Sequence, residues 1–258
     1  MNLSRQTILE VQNLSVRFGG FRAVSDLSFR VIQGEILGLV GPNGAGKTTT
    51  FNVISGFIRP SGGRVLFKGR DITGLPTPSL ARIGIVRTFQ QTRVFGHLTV
   101  EENVAIGCHL HEPGGLRRTL LGRGMDAHAA VGPRVEEVLA FTGLRDQRTR
   151  RGEELPYGDQ RVLGIAIALA AAPELLMLDE PFSGMNPAEA DSTMALIHRI
   201  RGRGVTVLLI DHHMNTLMRH CDRMVVMHHG EKLAEGPPAT VRADPAVIAT
   251  YLGGDGIL

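Results

Sequence analysis

Residues 35–56 read EILGLVGPNGAGKTTTFNVISG, and the rest of the chain is organised around them. Ile36-Leu37-Gly38-Leu39-Val40 is a short apolar run between glycines, the pattern of a strand buried in a parallel sheet. It leads straight into Gly41-Pro42-Asn43-Gly44-Ala45-Gly46-Lys47-Thr48, which matches the phosphate-loop pattern G-x-x-x-x-G-K-[ST] at every fixed position. The glycines let the backbone bend through conformations closed to most side chains, so that successive N–H groups can face phosphate oxygens. Lys47 offers charge to β- and γ-phosphates, the Thr48 hydroxyl is a ligand for Mg²⁺, and the following helix turns its positive end to the same point. Glycine-rich strand-to-helix turns also occur without a ligand. With the strand before, the helix after and Gly-Lys-Thr between them, the stretch predicts binding of a nucleoside triphosphate.

The 258 residues are enough for one large domain or two packed lobes with a full core, and 43% hydrophobic with 21% charged residues is ordinary for a globular chain. Cys108 and Cys221 lie far apart without metal-ligand spacing, so neither a disulfide framework nor a zinc site is expected. No apolar run has the length to cross a bilayer, and the first residues lack the apolar core of a signal peptide. A soluble, non-exported protein is the expectation. The net charge of +3 would suit an anionic surface, but a solvated basic exterior explains it equally well.

Residues 8–17 and 27–31 alternate apolar and polar side chains, as strands of a half-exposed antiparallel sheet do, with a turn at Phe18-Gly19-Gly20-Phe21. Spacing alone makes Phe18 a core or turn-packing aromatic, with stacking on an adenine as the alternative. Residues 59–63 break the chain, 64–68 resume as a strand, 80–83 read as a short helix and 85–89 as a strand leading into Gln90-Gln91. Thr99 and Glu102 form a capping-box pattern that opens a helix. Residues 109–132, rich in Gly, Arg and His, read as an exposed arm, and helical spacing returns at 134–141. The middle third is thus a mostly helical insertion into an α/β core. Leu175-Leu176-Met177-Leu178 is a second buried strand, delivering Asp179 and Glu180 at its end. Such a pair is often a solvated loop; in a chain with a phosphate loop, the Asp suits Mg²⁺ and the Glu the attacking water. Residues 205–210 form a further strand ending in Asp211-His212-His213, 223–227 and 231–235 a hairpin about His229-Gly230, and 244–252 a terminal helix.

Leu155-Pro156-Tyr157-Gly158-Asp159-Gln160-Arg161 stands some twenty residues before Asp179-Glu180, and this order of parts resembles the ATP-binding-cassette (ABC) family, whose signature loop has the form Leu-Ser-Gly-Gly-Gln. The resemblance covers nearly the whole chain, residues 1–258. It implies an α/β phosphate-loop (RecA-like) core with an antiparallel β subdomain in residues 1–89, an inserted helical subdomain in 90–160, and the rest of the core with a final hairpin and helix in 161–258. It also implies ATP and Mg²⁺ held on Gly41, Pro42, Asn43, Gly44, Ala45, Gly46, Lys47, Thr48 and Thr49, with adenine on Phe18. Thr48, Gln90 and Asp179 are then the metal-side residues, Glu180 the base, His212 the switch histidine, and residues 183–186 the dimer loop. The implied partners are a second cassette, identical or not, two membrane permease subunits and, indirectly, a periplasmic or lipid-anchored solute-binding protein, with no nucleic acid. The place is the cytoplasmic face of the inner membrane.

Within the family, VRTFQQTRVFGHLTVEENV, LPYGDQR, DEPFSGMNPAE and PAVIATYLGG resemble the ATPase subunits of branched-chain amino acid importers, and the long arm suits the longer of their two ATPases. Cassettes of importers for amides or urea, and cassette ATPases outside transport, are the alternatives. The signature departs from the family form: Pro156 replaces the Ser, Tyr157 a Gly and Asp159 the Gln, while Asn186 stands where many dimer loops carry Asp. Gly158 remains, and Asp159 suits a helix N-terminus as a cap. A silent regulatory module is a further reading, opposed by the intact Lys47, Asp179, Glu180 and His212.

Overall fold

The computed structural model describes residues 6–88, 94–108, 124–211 and 214–252, without the side chains of 124–130, 215, 251 and 252. Five parallel strands make the centre: β3 (Ile36–Val40), β6 (Ile85–Arg87), β7 (Leu175–Asp179), β8 (Thr206–Ile210) and β9 (Arg223–His228). With β10 (Glu231–Gly236) antiparallel on one edge, their order is β10-β9-β3-β8-β7-β6. A second, antiparallel sheet in the order β2-β1-β4-β5 is built from β1 (Thr7–Phe18), β2 (Phe21–Ile32), β4 (Gly62–Phe67) and β5 (Arg70–Asp71).

The continuous apolar runs follow from burial on both faces of the central sheet. Along β3, Ile36 and Val40 enter one core while Leu37 and Leu39 enter the other. Val207 and Leu209 of β8 likewise alternate with Leu208 and Ile210. One core lies towards the antiparallel sheet and holds Phe51 and Ile54 of α1 (Lys47–Ile54). The other packs under α3 (Val100–Cys108), α4 (Gly124–Thr142) and α5 (Tyr157–Ala170), through Val104, Val138, Leu139 and Leu163. It continues beneath α6 (Pro187–Gly202) and α7 (Met214–His220). This is an α/β phosphate-loop core with an antiparallel β subdomain and an inserted helical subdomain. Among the described residues no helix is long and apolar enough to cross a membrane.

Several elements differ from the sequence reading. β2 starts at Phe21, so the hairpin with β1 closes on Gly19-Gly20 alone. The exposed arm expected through residue 132 gives way to helix at Gly124, while residues 109–123 lie outside the described part. An alanine-rich stretch favours helix there even though Gly132 and Pro133 interrupt its periodicity. The short helix at 80–83 is α2 (Thr77–Arg82), begun earlier because Pro78 is tolerated in a first turn. Ahead of the expected terminal helix, α9 (Pro245–Leu252), stands an unforeseen α8 (Pro238–Ala243). The capping box is present: the Glu102 N–H donates to Thr99 Oγ1 at 3.2 Å and the Thr99 N–H to Glu102 Oε2 at 2.8 Å.

Candidate nucleotide site

β3, β8 and β7 are adjacent and parallel, so three chain segments far apart in sequence deliver their C-terminal ends side by side. In open α/β sheets that edge is where ligands bind. The first end carries the phosphate loop and α1, the second Asp211, the third Asp179 and Glu180.

Two glycines of the loop are required by crowding. A Cβ on Gly41 would stand 2.3 Å from the Met227 carbonyl oxygen, and one on Gly46 2.6 Å from that of Ala23. Both also have positive φ, as does Gly44, around which a Cβ would meet nothing within 4 Å. Gly44 is thus open where Gly41 and Gly46 are wedged. Pro42 and Asn43 complete the turn about buried Ala45, Thr49 follows in the first turn of α1, and the Gly230 N–H ties the loop to the last hairpin by donating to the Ala45 carbonyl. No side chain caps the start of α1 and no acidic residue occupies its first turn, so its backbone N–H groups are left to an anion.

The Lys47 ammonium donates to the carbonyl oxygens of Gly41 and Pro42 at 2.7 and 2.9 Å. Burial pushes its pKa down, and the nearby charges of Glu180 and Asp211 oppose that shift. Lys47 is therefore held by its own loop within electrostatic reach of the carboxylates at the ends of β7 and β8. Glu180 lies one residue beyond β7 with φ at +46°, a conformation uncommon outside glycine. Its N–H is held by the Ile210 carbonyl at 2.8 Å. Asp179 is buried, and burial pushes its carboxyl pKa up against the lowering effect of Arg87, which meets Asp179 Oδ2 at 2.6 Å. Thr48 is exposed in the first turn of α1. A Thr hydroxyl and an Asp carboxylate are oxygen donors of the kind that suits Mg²⁺. Phe18 is 50% exposed at the end of β1, beside the Gly19-Gly20 turn, which corrects the expectation of a core position.

Gln90 and His212, expected to contact metal and γ-phosphate, lie outside the described residues. The flanking residues are placed: β6 ends three residues before Gln90, and Asp211 directly follows β8.

The signature segment forms a separate face. Leu155 is buried, Pro156 is the N-cap of α5, and Tyr157 opens the helix with 46% exposure. Asp159 does not cap it, contrary to expectation. The helix begins two residues earlier, and the Asp159 carboxylate accepts from Gln147 Nε2 at 2.9 Å. Gln160 Nε2 donates to the Leu155 carbonyl at 2.9 Å and so closes the turn. The Tyr157 ring lies against Gly184, where a Cβ would come within 2.7 Å of a ring carbon, and Gly158 faces the Glu189 carboxylate. Arg161 donates to the Tyr157 hydroxyl at 2.6 Å. Asn186 caps α6 by accepting the Glu189 N–H at 3.0 Å, a local use for Asn at that position. Arg87, Asp211 and the contact of Tyr157 with Gly184 were not singled out from sequence. An arginine ending an otherwise apolar strand was the available signal for the first.

Strand order, loop and strand-end carboxylates define a phosphate-loop nucleotide-binding cassette. The chain belongs to the ABC transporter family, whose profile matches residues 24–183, and a profile described as "Branched-chain amino acid ATP-binding cassette transporter" matches residues 231–257. It is 42% identical to the high-affinity branched-chain amino acid transport ATP-binding protein LivG of Salmonella typhimurium over 251 residues, covering 96% of this chain and 98% of that one. The corresponding protein BraF of Pseudomonas aeruginosa is 42% identical over 253 residues, covering 95% and 98%. A solved nucleotide-free ATP-binding cassette from an ABC transporter superposes with a TM-score of 0.84 at 31% identity, covering 94% of this chain and 98% of its own. A cassette solved in its ADP conformation also gives 0.84, at 30% identity, covering 96% and 99%. The chain is an ATP-binding, ATPase subunit of this class.

Proposed function

We propose that this chain hydrolyses MgATP to drive an importer of branched-chain amino acids, seated as a peripheral subunit on the cytoplasmic face of the inner membrane. The observation that carries the ATPase assignment is the convergence of the phosphate loop, Asp179 and Glu180 on one sheet edge. The substrate class is supported by the names of the relatives and by the profile match at the C-terminal segment.

In this reading Phe18 offers its exposed ring to adenine, and the N–H groups of residues 41–49 surround the phosphates. Lys47 exchanges its two loop carbonyls for β- and γ-phosphate oxygens, so bonds to neutral acceptors are replaced by bonds to anionic ones. Thr48, Asp179 and Gln90 would hold Mg²⁺, which when bound supplies positive charge against the phosphates. Glu180 orients and deprotonates the attacking water from a backbone held at positive φ by the Ile210 carbonyl. His212 senses the γ-phosphate. Leu155, Pro156, Tyr157, Gly158, Asp159 and Gln160 face the nucleotide of a second cassette, through the N-terminus of α5 rather than through a serine hydroxyl.

The complete assembly has two cassettes, two permeases and a periplasmic or lipid-anchored solute-binding protein. Reconstitution with co-encoded permeases tests the substrate: ATP-dependent uptake of leucine, isoleucine or valine is expected, while uptake confined to amides or urea would replace that assignment.

A further inference from the structure

The Arg87 side chain is 8% exposed at the end of β6, and its guanidinium joins that strand to two other elements. Nη2 meets Asp179 Oδ2 at 2.6 Å at the end of β7. Nη1 donates to Asn52 Oδ1 at 2.7 Å and Ser55 Oγ at 2.8 Å, at the far end of the phosphate-loop helix. The rings of Phe51 and Phe57 lie 5.6 and 5.5 Å from the guanidinium carbon and shield it. A buried ion pair carries a desolvation cost that an apolar pair would avoid, so its presence calls for a use. The planar fork allows one cation to fix a carboxylate and a helix end together, which an ammonium on a flexible stem cannot do. Its bond to Asp179 uses Oδ2 alone, leaving the other carboxylate oxygen outside the contact.

We propose that Arg87 is a positioning residue that orients the Asp179 carboxylate for the divalent cation and ties it to the phosphate-loop helix through Asn52 and Ser55. This rests on the MgATP reading above. Charge alone does not account for the arrangement, because a surface pair would neutralise Asp179 without engaging α1. The consequence is specific: loss of Arg87 weakens cation-dependent nucleotide binding and spares the cation-independent part contributed by the loop backbone and Lys47.

The test is calorimetric affinity for AMP-PNP in excess Mg²⁺ and in EDTA, expressed as the ratio of the two. Arg87→Met is expected to lower the ratio about tenfold with EDTA affinity held within about twofold, and Arg87→Lys to recover only part of it. An unchanged ratio, or parallel losses in both buffers, overturns the proposal. If Arg87→Met does not fold, the double variant Asn52→Leu/Ser55→Ala, which leaves Arg87 and Asp179 in place, should lower the ratio about threefold. An unchanged ratio there overturns it equally. Asp179→Asn separates the two claims: if it abolishes the Mg²⁺ gain while the Arg87 and Asn52/Ser55 variants do not, the positioning role alone fails. If Asp179→Asn leaves the gain intact, the metal-side assignment fails first.

Discussion

The phosphate loop and the signature segment are both expected to face ATP, yet they are specified differently. In the loop, backbone geometry dictates identity: Gly41 and Gly46 have no room for a Cβ, and Lys47 is held by its own carbonyls. In the signature, side chains brace one another, with Tyr157 against Gly184, Arg161 on the Tyr157 hydroxyl and Gln160 on the Leu155 carbonyl. A site that wraps a ligand in its backbone tolerates little change. A site that presents a helix end tolerates Pro156 and Asp159, provided the helix is still held at the right place.

Variants can break this contrast. Glu180→Gln should lower turnover by about 10²–10⁴-fold with nucleotide binding kept, measured as phosphate release beside calorimetry. Full activity would remove the assigned base. Lys47→Ala should weaken nucleotide affinity on the order of 100-fold, the loss of a charge-assisted contact of up to about 3 kcal/mol. On the signature side the effects are smaller and belong to the opposite site. Pro156→Ser restores a hydroxyl donor, and about tenfold tighter ATP binding is expected in the assembled dimer but not in the isolated chain. If the partner is a different cassette, Glu-to-Gln replacements in the two subunits should reduce turnover unequally. Equal losses would show that the altered signature does not matter. Gly184→Ala would force the Tyr157 ring aside at a residue with φ at +77°, costing roughly 1–3 kcal/mol in thermal unfolding without altering nucleotide affinity of the single chain.

The same contrast explains what the sequence disclosed. The loop, the strands at β3, β7 and β8 and the capping box at Thr99 were legible because each follows from local pattern: an apolar run, a glycine spacing, a Thr with Glu three residues on. α4 was read ten residues short because Gly132 and Pro133 break the periodicity that packing then restores around Val131 and Val135. Asp159 looked like a cap because its residue type suits one, but where α5 begins depends on Pro156 and on the contact of Tyr157 with Gly184, a residue distant in sequence. Phe18 illustrates the converse: spacing allowed a core position, whereas the two-residue hairpin turn leaves the residue half exposed. The role of Arg87 was out of reach, since it depends on partners 32 to 92 positions away.

The convergence of distant strand ends on one triphosphate is tested most directly by a crystal structure of the Glu180→Gln chain grown with MgATP. The account predicts one nucleotide whose γ-phosphate lies within hydrogen-bonding reach of both Lys47 and residue 212, with the metal ion beside Thr48 and Asp179. Nucleotide bound elsewhere, or Lys47 still folded onto Gly41 and Pro42 while ATP is bound, would contradict it.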